Sequence, residues 1–187
     1  LLAFKFAVAL TAFVPANQPV GYVAQDEITN FNLKSGNEIL FRGQYEREFW
    51  SGTVLAYKAD SAGNLTGGTV WWTGDAGELM NEQNYDTGRL IATMKDDGSK
   101  IPFRFDELSS TQQGYLTDPS ILDYLRGDRS NEIQNAGTLR QRISVLGDIV
   151  HSRPFYVADA AKPTVFVGSN GGMLHAIDAS NSGSTGG

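Results

Sequence analysis

The residues of this 187-residue chain that could do chemistry are few and widely spaced. Its two histidines, His151 and His175, stand near Asp148 and Asp178. Two imidazoles and a carboxylate can hold a metal, but only when all converge to about 2.0–2.2 Å from one point. The pattern puts His175 on a strand between Leu174 and Ala176, where a packed or rim histidine is expected, so no metal site is assigned. Residues 60–64 (Asp-Ser-Ala-Gly-Asn) supply too few oxygen ligands for a calcium loop and read as a turn. No nucleophile, base and orienting group fall into a catalytic pattern, and no cofactor is implied. The absence of cysteine removes disulfides, thiolate metal sites and cysteine nucleophiles together. One tripeptide, Arg126-Gly127-Asp128, spells the adhesion motif read by integrins. That recognition needs an exposed loop tip with the guanidinium and carboxylate splayed apart. The competing reading makes Gly127 a helix C-cap and ties Asp128 into the returning chain by side-chain hydrogen bonds.

Composition narrows the function classes further. A formal charge of −6 gives nucleic-acid binding no support, because phosphate contacts require concentrated Lys and Arg. A hydrophobic fraction of 41%, with ten Phe, seven Tyr and three Trp, is enough to build a core and excludes a wholly disordered chain. The apolar run at residues 1–14 is shorter than the roughly 20 residues that span a bilayer, and Lys5 interrupts it, so the chain reads as not membrane-spanning.

The elements that must position these groups are mostly strands. In residues 2–13 Phe4, Phe6, Val8 and Leu10 alternate with Lys5, Ala7, Ala9 and Thr11, a period of two that predicts a strand with one bulky face. That face must be buried, and its four residues are candidates for strand addition to a sheet edge, including the edge of a second molecule. Further strands are expected at residues 38–41, 53–58, 69–73, 89–94 and 103–105, with Trp71 and Trp72 packed at core and rim. Asp75, with Glu78 three residues on, should cap a short helix. Two more helices are expected at 109–116 and 119–126, the second with Asp118 as N-cap, Pro119 at its first position and Gly127 past its end. Residues 155–157, 164–168 and 173–177 form three regularly spaced β-prone runs, the last two joined by Ser169-Asn170-Gly171-Gly172, a hairpin linker. The chain thus divides into an irregular β-rich region with helical insertions at 1–144, regular hairpins at 145–179, and a Ser/Gly-rich tail at 180–187 expected to be flexible.

The order of motifs is more specific than any one of them. LGDIVHSRPFYV and VFVGSNGGMLHAIDA within residues 146–179 follow Phe49-Trp50-Ser51-Gly52, Ala56-Tyr57-Lys58, WTGDAGEL at 72–79, Arg89-Leu90-Ile91-Ala92-Thr93 and LRGDRSNE at 125–132. This succession resembles the first regular blade of the PilY/PilC-type β-propeller domain, found in adhesins and biogenesis factors of type IV pili. The resemblance implies a mainly β fold: antiparallel sheets of an incomplete β-propeller-like domain with a few short helices inserted, ending after one blade. It implies a non-enzymatic, pilus-associated bacterial protein at the cell surface or outside the cell. Its partners would be pilin or other pilus components, a host or surface receptor, or further copies of itself in an oligomer or filament. The family's Asp/Asn-rich calcium loop has no counterpart here. Two alternatives remain open: a structural subunit assembled by β-strand addition, and a fragment of a quinoprotein-like propeller dehydrogenase, whose cofactor would need groups from several blades.

Overall fold

The structure, a computed structural model, describes residues 38–59, 65–70, 75–157 and 161–180. The expected strand at residues 2–13, with Phe4, Phe6, Val8 and Leu10, lies outside them, as do the turn at 60–64, Trp71, Trp72 and residues 181–187. The chain is mainly β. Eight strands form three small antiparallel sheets among the described residues, with three short helices between them. Two compact units result: Asn81–Gln141, and the segments up to Met80 and from Arg142.

In the discontinuous unit, β1 (Glu38–Glu46) and β2 (Ser51–Ala59) form a long hairpin in continuous register from Glu38↔Ala59 to Glu46↔Ser51. The Glu46 carboxylate closes its turn by accepting from the amides of Glu48 and Phe49. β3 (Leu65–Val70) pairs with β2. Helix α1 (Ala76–Glu82) begins as its sequence predicts: Asp75 Oδ1 accepts from the Glu78 amide at 2.9 Å, and the Glu78 carboxylate accepts from the Asp75 amide. The second sheet is β6 (Phe155–Val157), β7 (Thr164–Gly168) and β8 (Leu174–Asp178), all antiparallel, as the three β-prone runs predict. Phe41, Val54, Ala56, Ala76, Met80, Leu146, Ile149, Val165, Val167 and Ile177 form one buried cluster. Tyr156 stacks on Phe41 at 5.6 Å between ring centroids.

Residues far apart in sequence meet where β2 begins. The Gly52 amide donates to the Leu146 carbonyl at 2.7 Å, and Ser51 bridges to Gly147. A side chain at residue 52 would meet the Gly147 carbonyl oxygen at 2.3 Å, so this approach of two backbones requires glycine.

The Asn81–Gln141 unit carries a two-stranded hairpin, β4 (Ala92–Met94) and β5 (Lys100–Pro102), turned through Asp97 and Gly98. Helices α2 (Ser110–Leu116) and α3 (Pro119–Arg126) follow. Ser109 and Gln112 cap α2 reciprocally. Asp118, Pro119 and Gly127 take the cap positions that the sequence assigns around α3, with Gly127 at φ 123°. The strand expected at 103–105 is not formed. The sheet stops at Pro102, and Phe105–Glu107 is a 3-10 turn, because the Arg104 amide folds back on the Pro102 carbonyl while its side chain pairs with Asp86.

Candidate functional site

The β6–β8 sheet has two apolar faces. Its inner face carries Tyr156, Val165, Val167, His175 and Ile177; Val165 and Ile177 are fully buried, and Val167 is 1% exposed. The opposite face carries Phe155 and Val157 from β6, Thr164, Phe166 and Gly168 from β7, and Leu174, Ala176 and Asp178 from β8, so it is apolar at the hairpin end and polar only at the Thr164–Asp178 row. Register places Phe155, Phe166 and Ala176 in one cross-strand row, with Leu174 next to it opposite Gly168. Phe155 is 67% exposed and Leu174 74%. An antiparallel sheet that ends in solvent alternates polar with apolar residues; a sheet apolar in both phases is built as a middle layer. The sequence reading found these strands but assigned no role to this face. The signal was there: Phe155 and Val157 flank Tyr156, and Leu174 and Ala176 flank His175, so the phase opposite the core is apolar over most of its length.

The polar groups at the hairpin end of the sheet form a latch. Ser169, Asn170, Gly171 and Gly172 turn β7 into β8, closed by the Ser169 amide on the Met173 carbonyl and the Gly172 amide on Ser169. Asn170 donates from its amide to the Asp148 carbonyl at 2.9 Å and from its side chain to Asp148 Oδ2 at 2.7 Å. Ser169 Oγ lies 3.1 Å from His175 Nε2. His175 is therefore packed on its strand, as its neighbours predict, while His151 is exposed. No group of three or more His, Cys, Asp or Glu side chains among the described residues could hold a metal ion.

Arg126, Gly127 and Asp128 lie in the Asn81–Gln141 unit, built into its framework. Arg126 is 2% exposed and spreads its guanidinium over backbone carbonyls, donating to Phe103 at 3.0 Å, Tyr85 at 3.2 Å and Asp86 at 3.0 Å. Burial, then the neighbouring Arg104, pulls its pKa below the usual arginine value, with Asp86 and Asp123 opposing. Arg104 pairs with Asp86, and Arg89 donates to the Arg126 carbonyl. Asp128 accepts from both the amide and the hydroxyl of Ser130. Its charge, followed by burial and Asp123, holds the Tyr85 phenol above its usual pKa. Gly127 ends α3 and donates to the Asp123 and Tyr124 carbonyls. The tripeptide is thus a helix end locked by its own arginine, and Arg126 is not presented at a loop tip. Sequence reasoning missed a second buried charge in this unit: Glu132 is fully buried, 3.5 Å from Arg129 Nε and bonded to Gln134.

The chain is similar to proteins described as type IV pilus biogenesis factor PilY1. It is 32% identical over 167 residues to the PilY1 homolog of Xylella fastidiosa, covering 75% of this chain and 13% of that protein. It is 27% identical over 183 residues to PilY1 of Pseudomonas aeruginosa strain UCBPP-PA14 and 31% over 182 residues to that of strain PAK, each covering 74% of this chain and 15% of the relative. The chain therefore spans only a small part of the length of these curated relatives. No family model matches it, and no solved structure does.

Proposed function

We propose that this chain, a member of the PilY1-type family of type IV pilus biogenesis factors over the three quarters of its length that match, supplies a non-catalytic β-sheet layer to a pilus-associated protein at the cell surface. In this reading β6–β8 is one blade of a propeller-like assembly, and its outer face is closed by an adjoining sheet. The carrying observation is the exposure of Phe155 and Leu174 on a sheet whose other face is already buried. Covering a large apolar side chain contributes about 1.5–3 kcal/mol, so such a layer adds to the stability of whatever sheet packs on it. Pilus components are the partners, and pilus biogenesis with surface adhesion is the role. In this reading Arg126-Gly127-Asp128 serves as a helix end, with Arg126 bonded to three carbonyls, and adhesion is carried by other surfaces.

The test replaces Phe155 and Leu174 together by Ser, in this chain and in a full-length pilus protein that contains it. The expected result is an unchanged melting temperature for the short chain, with destabilisation of the long protein and loss of surface pili. Unchanged stability and piliation of the long protein would reject the blade reading.

A further inference from the structure

We propose that Asn170-Gly171, at the tip of the β7–β8 hairpin, is a spontaneous deamidation site whose product opens the latch between this turn and Asp148. It is the one Asn–Gly pair of the sequence. Both residues are exposed. The reaction needs a backbone nitrogen free to attack and no side chain crowding it. The Gly171 amide has no hydrogen-bond partner among the described residues, and Gly171 and Gly172 carry no Cβ. After losing its proton to solvent base, the Gly171 nitrogen attacks Cγ of Asn170. An N–Cγ bond forms, the Cγ–Nδ2 bond breaks, and ammonia leaves with a proton taken from water. Water then opens the five-membered imide at either carbonyl, giving aspartate or isoaspartate at position 170. Solvent water is the only co-reactant, and nothing is oxidised or reduced.

The surroundings turn this chemistry into a conformational change. Asn170 Nδ2 donates to Asp148 Oδ2 at 2.7 Å, and Asp148 is 6% exposed. A carboxylate at position 170 has no proton to donate and sets an acceptor against an acceptor beside the buried Asp148 side chain. Isoaspartate also lengthens the backbone by one methylene, which shifts the residue 170 amide off the Asp148 carbonyl that now accepts it. The same loop is joined to β2 through Gly52 and Leu146, so loosening at Asp148 reaches the start of β2.

The folded full chain is held at mildly alkaline pH and mapped by peptide mass spectrometry, with isoaspartyl methyltransferase labelling the product. The expected result is conversion at Asn170, faster at higher pH. Gly171→Ala should slow it at least several-fold without disturbing the hairpin, because the added methyl would make only ordinary contacts, 3.6 Å from Ser169 Oγ and 3.8 Å from Gly147 Cα. Conversion that occurs only after unfolding in urea, or equally fast in Gly171→Ala, overturns the site. For the latch, amide hydrogen exchange at residues 52 and 170 is compared between the unmodified chain and Asn170→Asp, or the aged product separated by ion exchange should that variant not fold. Faster exchange at both positions is expected; unchanged exchange overturns the latch.

Discussion

In the unit formed by β1–β3, α1 and β6–β8, eleven buried apolar side chains form one cluster around Phe41, Leu146, Ile149 and Ile177, and Ser51, Arg142, Ser144, Asp148 and His175 are buried as well. In the Asn81–Gln141 unit, buried Phe103, Leu108, Leu116 and Leu122 share the interior with Gln112, Arg126 and Glu132. The larger apolar cluster gives the first more non-directional burial between sheets, beside local polar contacts such as Asn170 to Asp148. The second depends on a few directional bonds: Gln112 to the Met94 carbonyl, and Arg126 to the carbonyls of Phe103, Tyr85 and Asp86. Apolar packing loses stability in proportion to the volume removed, whereas losing the Arg126 hub removes the charged donor from the buried Phe103 carbonyl and the partly buried Tyr85 carbonyl at once. The two units should therefore respond to opposite kinds of substitution.

The largest expected effect comes from the apolar side. Ile177 is fully exposed to its neighbours' packing and not at all to solvent, so Ile177→Ala should cost about 2–5 kcal/mol. Denaturant titration with hydrogen exchange should show protection falling in β7 and β8 and holding in α2 and α3. An equal loss in both units would erase the distinction between them.

Next in size is Arg126→Met, which keeps an apolar stem and removes the donors. The expected loss is about 1.5–3 kcal/mol, the scale of hydrogen bonds made by a charged group. It should appear as faster exchange around Tyr85, Asp86 and α3 with β6–β8 unaffected. If Met is tolerated without loss, packing and not hydrogen bonding holds this unit, and the comparison fails.

Legibility in the sequence follows the same division. The hairpins of the β6–β8 sheet could be read because β6, β7 and β8 are β-prone runs punctuated by turn residues, and α3 because Asp118, Pro119 and Gly127 are local signals. The strand predicted at 103–105 does not form: despite the alternation Phe103-Arg104-Phe105, the Arg104 amide turns back onto the Pro102 carbonyl and Phe105–Glu107 continues as a 3-10 turn. Gly52 could be read as a turn residue but not as the contact point for Gly147, since nothing local encodes a partner so far along the chain. The tripeptide at 126–128 shows the same limit. Its letters fit an adhesion motif and a helix C-cap equally well, and only the position of the Arg126 side chain shows how the arginine is used.

The smallest effect sharpens the contrast through pH. The Asp118 carboxylate accepts from the Ser120 amide at 2.7 Å, and hydrogen bonding from Ser120 holds its pKa below the ordinary aspartate value of about 3.9. A carboxylate with a depressed folded pKa contributes stability that is fully present above the unfolded value and is lost as pH falls through the folded value. Exchange protection at the first turn of α3 should therefore hold from neutral pH down to about pH 4 and decline below it. Asp118→Asn keeps an oxygen acceptor at the N-cap and has nothing to titrate, so its α3 should lose this acid-dependent step while remaining folded. Asp178 at the end of β8 is also held below its usual value, burial opposing but the Ser180 hydrogen bonds prevailing, so the control is the interior of β7: Val165 and Val167 sit in a cluster with no carboxylate and should show no matching step over the same range. A parallel decline in both the native chain and Asp118→Asn would mean that another carboxylate governs the acid response of this unit.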